Sequence, residues 1–218
     1  QNIQRFILFQ LTINVAALGI ALLGPFIGVK LPFTVTQMLW VNLIMDTFAA
    51  LALAAEPPHA DVMNQPPRDP GAFIVTPAMG RTIAVTGGAF MAAMIVFLFL
   101  AKARYPHPTI PGEIDSYGLT LFFSVFVMLQ FWNLFNARSL GLSQSAFKGI
   151  LENRGFVIIG LAILVGQIAI VQLGGAYFRT VPLGVGEWSA IIGGTSVVLW
   201  AGEAVRWFWR VSARPTAP

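Results

Sequence analysis

The sequence contains no cysteine. That excludes a thiol nucleophile, a thiolate metal centre and any disulfide. Charge is almost as scarce. Asp, Glu, Lys and Arg together make up 10% of the 218 residues, where a soluble globular domain carries about 25%. So little polar surface cannot cover a water-facing globule. With 56% hydrophobic residues and a mean hydropathy of +0.75, the chain reads as an all-α membrane protein. A formal charge of +4 and a pI near 10.0 could suggest a nucleic-acid partner. The thirteen basic residues, however, fall in ones and twos among apolar stretches and form no stripe, so no nucleic acid is expected and the lipid bilayer is the expected partner. There is also no charged leader running into a small-residue cleavage site. The chain opens at Gln1, and its first apolar run starts straight after Arg5, which suggests a piece of a longer protein.

Six apolar stretches approach the roughly 20 residues needed to cross a hydrocarbon core of about 30 Å: residues 6–27, 34–55, 82–101, 117–135, 156–173 and 188–208. They predict one transmembrane domain over residues 1–218, a bundle of six helices. Pro25, Gly28, Lys30 and Pro32 mark a tight first hairpin. No repeat relates the two halves, so an inverted-repeat transporter gains no support. Basic residues favour the cytoplasmic side. Arg5, Arg68, Arg81, Arg138, Lys148, Arg154, Arg206, Arg210 and Arg214 fall on one side, against Lys30, Lys102, Arg104 and Arg179 on the other. Both termini are therefore expected in the cytoplasm. Trp188, Trp207 and Trp209 read as interface anchors of the last span. Ala84, Gly88 and Ala92 read as a small-residue packing face on the third.

Polar residues break this pattern near mid-membrane. Asp46 sits near the middle of the second span, where a carboxylate costs roughly 2.5 to 3.5 kcal/mol on insertion scales. Asn42 lies one helical turn earlier and would share its face. Asn14 is near the middle of the first span. On the fourth, Gln130 lies a little past the middle, followed by Asn133 and Asn136. Amide and carboxylate oxygens without His or Cys suit a hard cation such as Ca2+, Mg2+ or an alkali ion. Two alternatives stand beside that reading: the amides could bridge neighbouring helices, and Asp46 could carry a proton. Glu203, three residues before Arg206, reads as half of an ion pair on one helix face. One carboxylate is too little charge for a desolvated divalent ion, so a second acid is expected from another helix.

These residues carry a resemblance. Gln37-Met38-Leu39-Trp40-Val41-Asn42-Leu43-Ile44-Met45-Asp46-Thr47, continued by Leu51-Ala52-Leu53-Ala54 and Glu56-Pro57-Pro58, resembles the sixth transmembrane helix of P-type Ca2+-transporting ATPases. The plasma-membrane calcium pump branch is the most similar. Gln4-Arg5-Phe6 and Gln10-Leu11-Thr12-Ile13-Asn14-Val15 resemble that family's fifth helix. Met128-Leu129-Gln130 with Asn133 and Asn136-Ala137-Arg138 resembles its eighth, and Gln167-Ile168, Val171-Gln172 and Gly174-Gly175 the end of its ninth. The resemblance implies that this chain is the last six helices of a ten-helix pump.

It also implies that Asn14, Asn42 and Asp46 are ion ligands, with Gln130 at an eighth-helix position that contributes in some members. Two departures from the two-ion reticulum pumps, Ala17 in place of a Glu and Met45 in place of a Thr, fit a single-ion site. The second acid would be a Glu on the absent fourth helix. The resemblance implies ATP-driven Ca2+ efflux across a plasma or inner membrane, one Ca2+ per cycle with protons returning. ATP and Mg2+ would be bound only in missing cytoplasmic domains, reached through the loop around Pro57-Pro58 and Pro66-Pro67. No Asp-Lys-Thr-Gly-Thr phosphorylation motif and no phosphate loop is present, since Gly87-Gly88 and Gly193-Gly194 lie inside spans. This stretch by itself offers no catalytic residue and cannot hydrolyse ATP. A stand-alone cation/proton carrier and a non-transporting membrane scaffold are the rival readings.

Overall fold

A computed structural model describes residues 2–57, 73–139 and 144–212, with side chains throughout except at Met45 and Asp46. The proline-rich connection from residue 58, with Pro66-Pro67 and Arg68, lies outside the described residues, as does Arg214. The apolar runs form helices whose ends are set by local chemistry. Helix α1 (Asn2–Ile27) stops where Gly28 takes φ = +85°. The Gly28 and Val29 amides then donate back to Pro25 O and Gly24 O, both at 3.0 Å, a Schellman closure. Helix α2 (Val35–Asn42) starts in a capping box in which Thr34 and Gln37 satisfy each other's backbone amides. Helix α4 (Pro77–Arg104) begins with Thr76 as N-cap and proline in its first turn. Asp115 caps α5 (Ser116–Arg138) and Asn153 caps α6 (Arg154–Leu173).

The second and sixth spans are not single regular helices. Between α2 and α3 (Ala50–Ala54), residues Leu43–Ala49 form a π-helical segment. Composition gave no sign of it. The last span is α8 (Val185–Thr195) followed by α9 (Val197–Ser212). They are interrupted at Ser196, whose hydroxyl donates to Gly193 O at 2.6 Å behind the Gly193-Gly194 pair. Such Gly/Ser sites break helices. A four-residue helix α7 (Gly175–Phe178) in the connection after α6 was also unforeseen. Arg179 follows it in the left-handed region at φ = 50°.

Six rods thus have the length and composition to span a membrane, and they run alternately up and down. Asn2 on α1 reaches the Glu56 carbonyl after α3 at 2.9 Å. At the opposite end the Lys102 ammonium on α4 donates to Ile27 O at 2.9 Å. The even number of crossings leaves both ends of the described chain on one side, here the terminal side; the other is the hairpin side.

Helix α5 is the axle. In its most apolar 18-residue window 78% of residues are buried, against 22–39% in the other spans. Its phenylalanines fill the centre: Phe122 meets Phe33 at a tilt and Phe126 meets it edge-on, each with ring centroids 5.0 Å apart. Two expectations are corrected by this packing. Ala84 and Ala92 are exposed and a Cβ on Gly88 would meet nothing within 4 Å, so that stripe faces outward. The packing face of α4 is Ile83, Gly87, Phe90, Met94 and Leu98, one residue round the helix. A Cβ on Gly87 would stand 2.9 Å from the Thr12 carbonyl oxygen, so α1 and α4 touch backbone to backbone there. Trp188, expected at the interface, is buried in the core, because α8 packs against α5. Trp207 and Trp209 are exposed.

Candidate functional site

The polar residues singled out above lie on three rods that meet around the π segment. Asp46 is inside that segment and Asn42 is the last residue of α2 before it. A π segment bonds i to i+5 and is frequently found at functional sites. The Asp46 side chain is outside the described atoms. Asn42 is exposed and Asn14, on α1, is half-buried. The residues around Asn14 on the same side, Leu11, Val15 and Leu18, are also exposed. Both amides therefore border an open side of the bundle.

Gln130 lies opposite, on α5. It is fully buried, and among the described residues neither its amide nitrogen nor its amide oxygen has a hydrogen-bond partner. It borders a narrow gap with Ile44 and Ala49 of the π segment and Phe9 of α1, together with Phe131, Leu134 and Ile163. A buried donor or acceptor left unpaired costs about 1–3 kcal/mol, so an amide kept in this state needs an explanation. A simple helix bridge is not the explanation. That role belongs to Asn136, which donates to Val198 O and accepts from Arg206, both at 2.9 Å. It also belongs to Gln167, which accepts from the Trp40 indole at 2.8 Å. Among the described residues no three His, Asp or Glu side chains gather. Ion binding here would rest on amide oxygens, the backbone and Asp46.

Sequence reasoning missed a second polar group, on the terminal side. Glu56 pairs with the Arg138 guanidinium and accepts from Asn153 Nδ2 at 3.0 Å. Arg138 also donates to Ala146 O at 2.7 Å. Glu56 and Arg138 side chains are each 8% exposed. Partners 82 positions apart leave no local pattern to read. The Glu203–Arg206 pair, which spacing did predict, is present at 2.7 Å. Glu203 in addition accepts from the Ala146 amide at 2.6 Å. On the hairpin side, Arg179 donates to Leu31 O at 2.6 Å. Burial pulls the Arg179 guanidinium below its ordinary pKa, partly offset by the Glu113 carboxylate.

Comparison with known proteins places this arrangement in context. Residues 30–208 match the family described as cation transporting ATPase, C-terminus. The chain is 38% identical over 205 residues to the rice (Oryza sativa subsp. japonica) protein "Calcium-transporting ATPase 7, plasma membrane-type", covering 94% of this chain and 19% of that one. It is 36% identical to "Calcium-transporting ATPase 8, plasma membrane-type" of Arabidopsis thaliana, over 98% of this chain and 20% of that protein. To "Plasma membrane calcium-transporting ATPase 1" of Gallus gallus it is 36% identical, over 91% and 17%. The chain spans about a fifth of the length of the curated relatives it matches.

Proposed function

Because the chain belongs to the cation-transporting ATPases, as their C-terminal membrane region, we propose that it is the ion-binding membrane portion of an ATP-driven Ca2+ efflux pump. The observation that carries this reading is the π segment at Asp46, with the unpaired Gln130 amide across from it. In the proposal Asp46 supplies charge, and Asn42 and Asn14 supply oxygens from the open side. Gln130 completes the shell from α5. Ca2+ is the cargo, as the relatives' names suggest. It is carried one per cycle, with protons returning on the carboxylate that the ion vacates. The terminal side of the bundle faces the cytoplasm, and the membrane is the plasma membrane.

The half-buried and exposed amides at mid-span support a covering of further protein. A polar side chain facing hydrocarbon is costly, and a second acid from such a covering would balance the divalent charge. ATP and Mg2+ act in domains outside this chain, and their rearrangement opens the site to one side and then the other. The decisive experiment is Asp46→Asn in the whole protein, with Ca2+ uptake into inside-out vesicles as readout. Uptake should fall at least a hundredfold and should require ATP in the wild type. Uptake driven by a pH gradient without ATP would favour the carrier. Full activity of Asp46→Asn would overturn the site.

A further inference from the structure

The π segment is held from both ends against the same neighbour, α6. On the hairpin-side approach, the Trp40 indole donates to Gln167 Oε1 at 2.8 Å. A Cβ on Gly166 would come within 2.8 Å of that ring, so the contact is close as well as polar. On the terminal side, Asn153, the N-cap of α6, donates to Ala55 O at 3.4 Å and to the Glu56 carboxylate at 3.0 Å. Arg138 fixes the same carboxylate from α5.

The two contacts on α6, Asn153 and Gln167, are fourteen residues apart along a regular helix, or about 21 Å at the α-helical rise. Trp40 and Ala55 are fifteen apart. The second span therefore carries one residue more between its contacts than α6 does between its own. A stretch bonded i to i+5 advances less per residue than one bonded i to i+4, and the only such stretch among the described residues lies between the two contacts, at Leu43–Ala49. A π turn within that interval takes up such an excess.

We propose that the Trp40–Gln167 and Glu56–Arg138–Asn153 contacts are a pair of clamps that hold the second span against α6 in the register that keeps the π turn at Asp46, so that Trp40 and Glu56 are positioning residues for the cation. The inference rests on the ion-site reading above. Loosening either clamp lets the span relax toward regular helix and moves Asp46 and Asn42 out of place. The maximal rate, set elsewhere in the cycle, is little affected.

The test uses the full-length protein in vesicles, with Ca2+ itself as probe, and reads half-saturating Ca2+ separately from maximal uptake and from the amount of folded protein. Trp40→Phe keeps an aromatic ring but removes both the indole N–H that Gln167 accepts and the outer ring edge that lies against Gly166. Glu56→Gln removes the charge at the other clamp. Each should raise half-saturating Ca2+ about five- to tenfold, with maximal uptake per molecule within twofold of wild type. A mere brace would lower the yield or the melting temperature and leave half-saturation unchanged, which would overturn the proposal. If Glu56→Gln fails to accumulate, Trp40→Phe decides alone. Asp46→Asn run alongside separates the two readings. If it retains uptake, the ion site itself is wrong and the clamps fall with it; if it abolishes uptake while Trp40→Phe keeps wild-type half-saturation, only the clamp inference fails.

Discussion

Two adjacent glycines on α4 show how differently neighbouring residues are used. Gly87 lies against the Thr12 carbonyl oxygen, a backbone atom that cannot swing aside, while Gly88 faces open space. Gly87→Ala should therefore force α1 and α4 apart and cost about 1–3 kcal/mol, the range for an overpacked contact. Gly88→Ala should be neutral or slightly stabilising, because alanine is the better helix former by up to about 1 kcal/mol. Thermal unfolding of the two variants in detergent checks the contrast, and equal melting temperatures would contradict the packing described. Reading the sequence chose the wrong member of this pair. Gly88 has Ala84 and Ala92 at the small-residue spacing whereas Gly87 has Ile83 and Met91, so the spacing pointed to the glycine that the partner helix does not use. Trp188 failed for a similar reason: its position near a span end suits an anchor, but α8 happens to turn that face onto α5. Gln130 was legible as a polar residue in an apolar run, whereas its lack of any partner could be seen only once α1 and the π segment were in place.

At the scale of elements, hydropathy located all six rods because crossing hydrocarbon leaves little freedom in their length. Five of the six helices exceed their apolar runs by a few residues, since caps such as Thr76 and Asp115 sit in the polar flanks. What hydropathy could not reveal was irregularity inside a rod. The π segment carries Asp46, but its composition does not distinguish a π turn from an α turn, and the contacts proposed to hold it lie on α6 and α5. Contacts between rod ends were equally hidden. Lys102 reads from sequence as a loop cation, yet its ammonium closes the open C-terminus of α1 by donating to Ile27 O, where a positive charge also meets the negative end of the helix dipole. Lys102→Met keeps the aliphatic stem and removes the donor. It should destabilise the first hairpin by about 1.5–3 kcal/mol, the worth of a hydrogen bond to a charged group. Amide hydrogen exchange of Gly28 and Val29 is the local readout, and protection in the variant equal to wild type would remove the cap from the account.

For the molecule as a whole, the orientation proposed from the basic residues can be tested directly because the chain is free of cysteine. A single cysteine at Leu151, which is 82% exposed on the terminal side, should react with an impermeant maleimide only from the cytoplasm. One at Thr109, in the connection between α4 and α5, should react only from outside. Labelling of both from the same face would contradict the up-and-down path, and exchanged faces would reverse the proposed orientation. The burial of α5 has a further consequence, for how the chain is made. This mostly buried helix finds only part of its cover when it first enters the bilayer, since α1 and α4 precede it but α6, α8 and α9 follow it in the chain. Its Thr120, Ser124, Gln130 and Asn133, all buried at the end, meet lipid or the insertion machinery at the start. The first rods can already pack on one another, α1 against α4 above all, but the fourth keeps an open flank until the last ones arrive. Truncation after residue 150 would strand that helix half-wrapped, and cellular quality control would meet its polar seam as an unfinished surface.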